Sequence, residues 1–123
     1  MPIDPAELWR FLPGGFLATV AIELPILMLG LSARHPWRRR VAAAVWLTAC
    51  TYPCVVLVFP LVVPPAWGPG AALVAAEVFA FTAEVLLFRG VWGGGDRRAD
   101  FRDAAAIVAA NAASCLTGIW LQS

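Results

Sequence analysis

The sequence predicts an all-α protein: a polytopic membrane protein with four transmembrane helices in an antiparallel bundle and both termini outside. Its composition, four long apolar runs and the placement of its arginines predict this class. Hydrophobic residues make up 61% of the 123-residue chain and charged residues 14%, against about 45–50% and 25% in ordinary soluble domains. A soluble domain of this length cannot bury so much apolar surface, because small domains bury only part of what they carry.

The apolar residues fall in four runs, each followed by a polar or proline-rich connection. We expect the transmembrane helices to cover about residues 11–33, 41–63, 71–88 and 104–121. Each run is close to the ~20 helical residues that cross a hydrocarbon layer of about 30 Å. The whole chain, residues 1–123, is therefore expected to form a single transmembrane domain.

The arginines predict the orientation of the chain. There are nine arginines and no lysine, and only Arg10 lies away from the loops that join the first run to the second and the third to the fourth. By the positive-inside rule, these arginine-rich loops are cytoplasmic. We expect a cell membrane location, in the bacterial inner membrane. Because the arginines have this orienting role, we expect no nucleic-acid partner.

Two carboxylates in the third run need an explanation. Glu77 and Glu84 are seven residues apart, and neither this run nor the other three contains a lysine, arginine or histidine. Seven residues are about two helical turns, so both side chains share one helix face. Either the carboxylates are protonated or they face partners that accept them, and both alternatives turn this face away from lipid.

The first two runs carry polar residues and prolines near their middles. Glu23 is followed by Pro25, and Thr51 and Tyr52 are followed by Pro53. A proline inside a helix removes one backbone donor, so we expect helix kinks at Pro25 and Pro53. The freed carbonyls must find partners inside the protein. These residues predict a shared polar pocket; the alternative is a simple kink in which protonated Glu23 bonds to neighbouring backbone.

The fourth run is built for close helix contact. Small residues recur every four positions along it, which lets backbones approach each other in lipid. At the helical rise, Asn111 falls near the depth of Glu84, so we predict a hydrogen bond between these two side chains. Ser114 lies one turn further in, where it would meet Tyr52 or Glu23.

The loops and cysteines add fewer expectations. His35 is expected to be a solvated loop residue, and Asp100 or Asp103 to begin the fourth helix, where a negative charge suits the helix N-terminus. A metal site of Cys54, Cys115 and carboxylates is an alternative, but it lacks the spacing of known thiolate sites. We therefore predict no metal and no cofactor.

Four short elements together resemble a family. They are Glu-x-Pro in the first run, Thr-Tyr-Pro in the second, the glutamates of the third, and Asn111-x-x-Ser114-x-x-x-Gly118 in the fourth. This set is similar to that of small uncharacterised four-helix bacterial membrane proteins with an intramembrane Glu. The resemblance implies that the polar residues act together, and it implies no particular activity.

Two functions remain in view. The first is a proton or cation transport pathway along Glu23, Glu77 and Glu84, since ionisable residues inside a membrane are usually functional. Four helices enclose little space, so this function implies a homo-oligomer or a larger membrane-protein complex. The alternative is a non-transporting structural or assembly subunit of such a complex. We do not expect an enzyme, because the runs contain no Ser/His pair and no HExxH-type motif.

Overall fold

The computed structural model describes residues 4–68 and 70–122, and within these ranges the chain forms long helices and no strand. The helices are α1 (Pro5–Gly30), α2 (Trp37–Val62), α3 (Ala71–Trp92) and α4 (Arg97–Gln122). Each is long and apolar enough to cross a membrane. The all-α class and the four helices predicted from the sequence are therefore confirmed.

Both α1 and α4 begin at an aspartate that precedes the apolar run. The Asp4 carboxylate accepts a hydrogen bond from the Ala6 amide (2.9 Å). At α4, Asp96 Oδ1 accepts from the amides of Arg98 (3.0 Å) and Ala99 (3.2 Å). Such side-chain acceptors satisfy amides that have no partner within the helix. The expectation that Asp100 or Asp103 begins α4 was wrong, because Asp96 takes this role one turn earlier.

Helix α2 changes its backbone pattern directly after Pro53. It is α-helical over Trp37–Pro53, π-helical over Cys54–Val58, and α-helical again over Phe59–Val62. The Phe59 amide donates to the Cys54 carbonyl, five residues earlier. A π-helical turn is a common irregularity where the regular ladder is interrupted. In contrast, α1 stays α-helical through Pro25, so the two predicted kink positions differ in backbone pattern.

The helices pack in a closed order, in which α1 and α3 each contact both α2 and α4. An apolar core fills one half of the space between them. It consists of Leu27 of α1 and Leu31 directly after that helix, Ala43, Ala44 and Leu47 of α2, Phe88 of α3, and Ala106, Ile107 and Ala110 of α4. Alanines facing each other let the helix backbones come close. The other half, towards the 63–70 connection, contains the candidate site.

Beyond the core lies what we call the arginine end, formed by residues 31–36 and 93–103. Here Asp103 accepts three hydrogen bonds: from the Ser32 amide (2.7 Å), from His35 Nε2 (2.8 Å) and from Arg34 Nη2 (3.0 Å). The His35 side chain is 0% exposed, and its ring packs edge-on against Phe88. The expectation that His35 is a solvated loop residue was wrong, because Asp103 supplies a buried acceptor from a distant helix.

Arginine side chains at the same end cap the C-terminus of α1. Arg40 donates through Nε to the His35 carbonyl (2.9 Å), through Nη2 to the Ser32 carbonyl (2.9 Å) and through Nη1 to the Met28 carbonyl. Arg102 donates to the Gly30 carbonyl (3.0 Å). The last carbonyls of a helix have no intrahelical partner, so the guanidinium groups satisfy those of Met28 and Gly30, while Arg40 also binds carbonyls of the connection that follows. Several arginines therefore hold this end of the four helices together.

Candidate functional site

A cavity of about 440 Å³ lies among the four helices, on the side of the core away from the arginine end. The polar residues that the sequence singled out share this cavity, although they come from all four helices. It is lined by Glu23, Thr51, Tyr52, Glu77, Glu84, Asn111 and Ser114. Side chains near the helix ends, such as Phe11 and Leu121, line its outer part.

Glu23 lies at the inner end of the cavity and is held by two other helices. Its Oε2 accepts a hydrogen bond from Thr48 Oγ1 of α2 (3.0 Å), and its Oε1 accepts one from Ser114 Oγ of α4 (3.0 Å). Glu23 is only 2% exposed. The predicted contact between Ser114 and Glu23 is therefore confirmed, whereas the role of Thr48 was missed. The Thr48–Thr51 spacing, three residues on one face of α2, was the available signal.

Glu84 of α3 is 3% exposed and accepts a hydrogen bond at Oε2 from Thr51 Oγ1 (3.0 Å). The Asn111 side chain lies close enough to interact with the Glu84 carboxylate. Its amide nitrogen, however, donates to the Ile107 carbonyl of its own helix (3.0 Å). The predicted Glu84–Asn111 pair is thus present as an interaction across α3 and α4, while Thr51 supplies the hydrogen bond to Oε2.

Two of the three hydroxyl donors to these carboxylates, Thr51 and Ser114, are shared with backbone acceptors. Thr51 Oγ1 also lies 3.1 Å from the Leu47 carbonyl, and Ser114 Oγ lies 3.0 Å from the Asn111 carbonyl. A hydroxyl has a single proton to donate, so it serves the carboxylate and the carbonyl in turn. Among the described residues, few of the donors to the buried carboxylates therefore bond to a carboxylate alone.

Glu77 occupies a shallower position than Glu84, two helical turns closer to the start of α3. It is half-buried and faces Cys115 of α4. Glu23, Glu77 and Glu84 are near enough to interact electrostatically. The cavity therefore has acidic groups at two levels, one near its outer part and one at its inner end.

Tyr52 packs against a glycine that the sequence did not connect with it. A Cβ built on Gly15 would lie 1.9 Å from the Tyr52 hydroxyl oxygen, so only glycine fits at this position. The hydroxyl also interacts with Thr19, one turn further along α1. The Pro13-Gly14-Gly15 segment marked an irregularity in the sequence, but only the fold identifies Tyr52 as its neighbour. Close backbone approach is a common reason for a helical glycine.

The charge of the cavity is one-sided. Among the residues that the structure describes, its lining contains three glutamates and no lysine, arginine or histidine. Pro25 and Pro53, the predicted kink positions, are not among the lining residues. An acidic cavity with low-dielectric walls concentrates cations.

The carboxylates do not converge tightly on one point. Among residues 4–68 and 70–122, no group of three His, Cys, Asp or Glu side chains has the geometry to hold a metal ion.

Comparison with protein-family models finds no match, and no curated protein or solved structure is significantly similar to the chain. The resemblance to small four-helix bacterial membrane proteins stays a prediction.

Proposed function

We propose that this protein is an integral membrane protein whose acidic cavity accepts protons or other cations as part of a transport pathway. One observation carries the proposal: Glu23, Glu77 and Glu84, from two helices, line the same cavity, and none of the described residues of its walls is basic. Carboxylates inside an apolar helical assembly are energetically costly, so their presence there usually indicates a function. The cavity supplies a volume in which a cation would offset their charge.

Insertion in a membrane is supported by the outward-facing side chains. Leu17 and Leu29 of α1 are 67% and 81% exposed, and Leu86 and Leu116 of the third and fourth helices are 64% and 65% exposed. Large apolar side chains exposed on every helix mark a surface that faces lipid or another protein. We place the helices as an antiparallel bundle in the bacterial inner membrane, with the arginine end cytoplasmic and both termini outside.

The proposed pathway proceeds from the outer part of the cavity inwards. A cation enters past Phe11 and Leu121, meets Glu77 first, and then reaches Glu84 and Glu23 at the inner end. The hydroxyls of Thr48, Thr51 and Ser114 hold the two inner carboxylates in place. Because these hydroxyls accept as well as donate, they rotate to follow a change in carboxylate charge.

Passage beyond the inner carboxylates requires a change at the arginine end. Leu47, Ile107 and Phe88 fill the space below the cavity and are at most 2% exposed. The conformation described here is therefore open towards one end, as expected for one state of an alternating-access cycle. Because four helices enclose little volume, we propose that a homo-oligomer or a larger membrane-protein complex completes the pathway.

Flux measurements test the proposal directly. Purified protein is reconstituted in liposomes with an enclosed pH-sensitive dye, and flux is driven by a proton gradient and then by a potassium-clamped potential. The wild type is compared with Glu84→Gln and Glu77→Gln. Glu7→Gln is the matched control, because Glu7 is exposed near the start of α1 and does not line the cavity. We expect flux in the wild type and the control, and background flux in the two cavity variants.

A second function, as a non-transporting structural or assembly subunit, is favoured by the closed arginine end. The apolar core lies between the cavity and the Asp103 network of the arginine end. If this function is the correct one, all four proteins show background flux. In that case the wild type co-purifies with a larger membrane complex, and the cavity variants alter its assembly.

A further inference from the structure

We infer that the cation accepted by the cavity is a small organic ammonium with an apolar body, rather than a bare metal ion. This inference rests on the proposed function, because it names the substrate class of the same cavity. It follows from the size of the cavity, from buried carboxylates without a basic partner among the described lining residues, and from the apolar side chains that share the walls.

The cavity is larger than a single ion requires. Its volume of about 440 Å³ is within the range of about 300–1,000 Å³ that is usual for small-molecule sites. A water molecule occupies roughly 30 Å³ in the liquid, so a proton path needs only a narrow file of waters. Here, instead, the four helices surround a space suited to an organic molecule.

The inner end holds a buried carboxylate with no basic partner among the described lining residues. Glu84 is 3% exposed, Thr51 donates to its Oε2, and the Asn111 side chain also interacts with its carboxylate. Both partners are neutral groups. A buried carboxylate without a counter-ion is costly. An ammonium group carries N–H donors and a positive charge, and it would supply the counter-ion.

The geometry disfavours a bare metal ion. Calcium takes six to eight oxygen ligands and zinc about four ligands, all converging at about 2.0–2.6 Å. Across the described ranges, no three carboxylate, thiol or imidazole side chains converge in this way. One carboxylate, in contrast, suffices to hold an ammonium head group.

The walls combine carboxylates with apolar side chains. Glu23 and Glu84 share the lining with Val55, Leu73 and Ile119. Tyr52 also lines the cavity, and aromatic rings attract cations. An ammonium head against Glu84 with an apolar body along Val55 and Leu73 fits this mixed lining.

The test uses three probes that separate charge from apolar body. The full-length protein in lipid nanodiscs is titrated by calorimetry with benzylammonium, with the neutral analogue benzyl alcohol, and with the ammonium ion. We expect benzylammonium to bind the wild type at least about tenfold more tightly than either of the other two. Equal affinity for benzylammonium and benzyl alcohol, or for benzylammonium and the ammonium ion, would overturn the inference. These comparisons use the wild type alone, so they do not depend on the folding of a variant.

Variants then locate the binding. Glu84→Gln and Glu23→Gln should each weaken benzylammonium binding about tenfold and leave benzyl alcohol binding unchanged, whereas the matched control Glu7→Gln should bind like the wild type. Benzylammonium binding that is unaffected by Glu84→Gln overturns the assignment. The helical content of each variant is measured by circular dichroism, so that a loss of binding is compared only among folded proteins.

The outcome is separable from that of the flux experiment. If Glu84-dependent proton flux occurs but benzylammonium binds no better than benzyl alcohol, the inference fails and the transport proposal stands. If benzylammonium binds in a Glu84-dependent manner but no flux occurs, the ligand class is supported and transport is not.

Discussion

Ser114 of α4 and Glu23 of α1 are 91 residues apart in the chain, and Ser114 Oγ donates to Glu23 Oε1 at 3.0 Å. This hydrogen bond joins the first and last helices at the inner end of the cavity. Thr48 of α2 completes the site from the other side. Three of the four helices therefore depend on one buried carboxyl group for part of their alignment.

Removal of the serine hydroxyl should loosen this alignment. Ser114→Ala leaves Glu23 Oε1 without its donor, and we expect the free energy of unfolding to fall by about 0.5–2 kcal/mol, the usual range for such bonds. The measurement is unfolding in mixed micelles followed by circular dichroism. Thr117→Ala is the control, because Thr117 Oγ1 donates to the Ala113 carbonyl of its own helix and to no other helix among the described residues. A Thr117→Ala loss as large as that of Ser114→Ala would contradict the prediction.

A methyl group at Gly15 should displace Tyr52. The added Cβ would lie 1.9 Å from the Tyr52 hydroxyl oxygen, and overpacking of this kind costs about 1–3 kcal/mol. We expect Gly15→Ala to lower the unfolding temperature, and Tyr52→Phe to recover part of the loss in the double variant. Gly14→Ala is the matched control, since nothing lies within 4 Å of its added Cβ. Equal effects of the two alanine substitutions would rule out the contact.

The guanidinium of Arg40 should stabilise the end of α1 through hydrogen bonds rather than through charge alone. Arg40→Gln removes donors to the Ser32 and His35 carbonyls, and we expect a loss of about 1.5–3 kcal/mol in the free energy of unfolding. Arg38→Gln removes the same charge from an exposed side chain that contacts Trp37. If both variants lose equal stability, the carbonyl contacts contribute little.

The buried carboxylate of Asp103 should hold residues 31–36 against α4. In Asp103→Asn one oxygen becomes a donor, so either the Ser32 bond to Oδ1 is lost or the His35 and Arg34 bonds to Oδ2 are lost together. Hydrogen–deuterium exchange read by mass spectrometry should show faster exchange in residues 31–36, by about tenfold for a loss near 1.4 kcal/mol. Asp4→Asn serves as the control, since Asp4 caps α1 far from this segment. Unchanged exchange in residues 31–36 would mean that Asp103 does not hold the segment.

The four helices were predictable because long apolar runs have few alternative structures. The contacts among the polar residues of the cavity were partly predictable, since helical rise alone places Ser114 near Glu23 and Asn111 near Glu84. His35 was predicted wrongly for a different reason. Its neighbours in the sequence are arginines and a proline, while its acceptor, Asp103, comes from a helix 68 residues later. The residues next to His35 in the sequence do not indicate its pairing with Asp103.

The Gly15–Tyr52 contact was missed for a related reason. The Pro13-Gly14-Gly15 segment indicates irregular backbone, but which of the two glycines faces α2 depends on the rotation of α1. That rotation is set by the packing of all four helices. The beginning of α4 was misplaced by one or two turns because three aspartates, Asp96, Asp100 and Asp103, are each acceptable at a helix N-terminus.

The π-helical turn at Cys54–Val58 lets α2 tolerate the deletion of one residue, which the other helices would not. Such a turn contains one residue more than an α-helical turn would use over the same rise. Deletion of a single residue there would convert the π-helical turn to regular α-helix. The side chains of Thr51 and Phe59 would keep their directions, so the ring of Phe59 would still contact that of Phe79 on α3. A deletion of the same length elsewhere in α2 would rotate the rest of the helix by about 100°. Chain-length variation in this protein is therefore best accommodated beside Pro53.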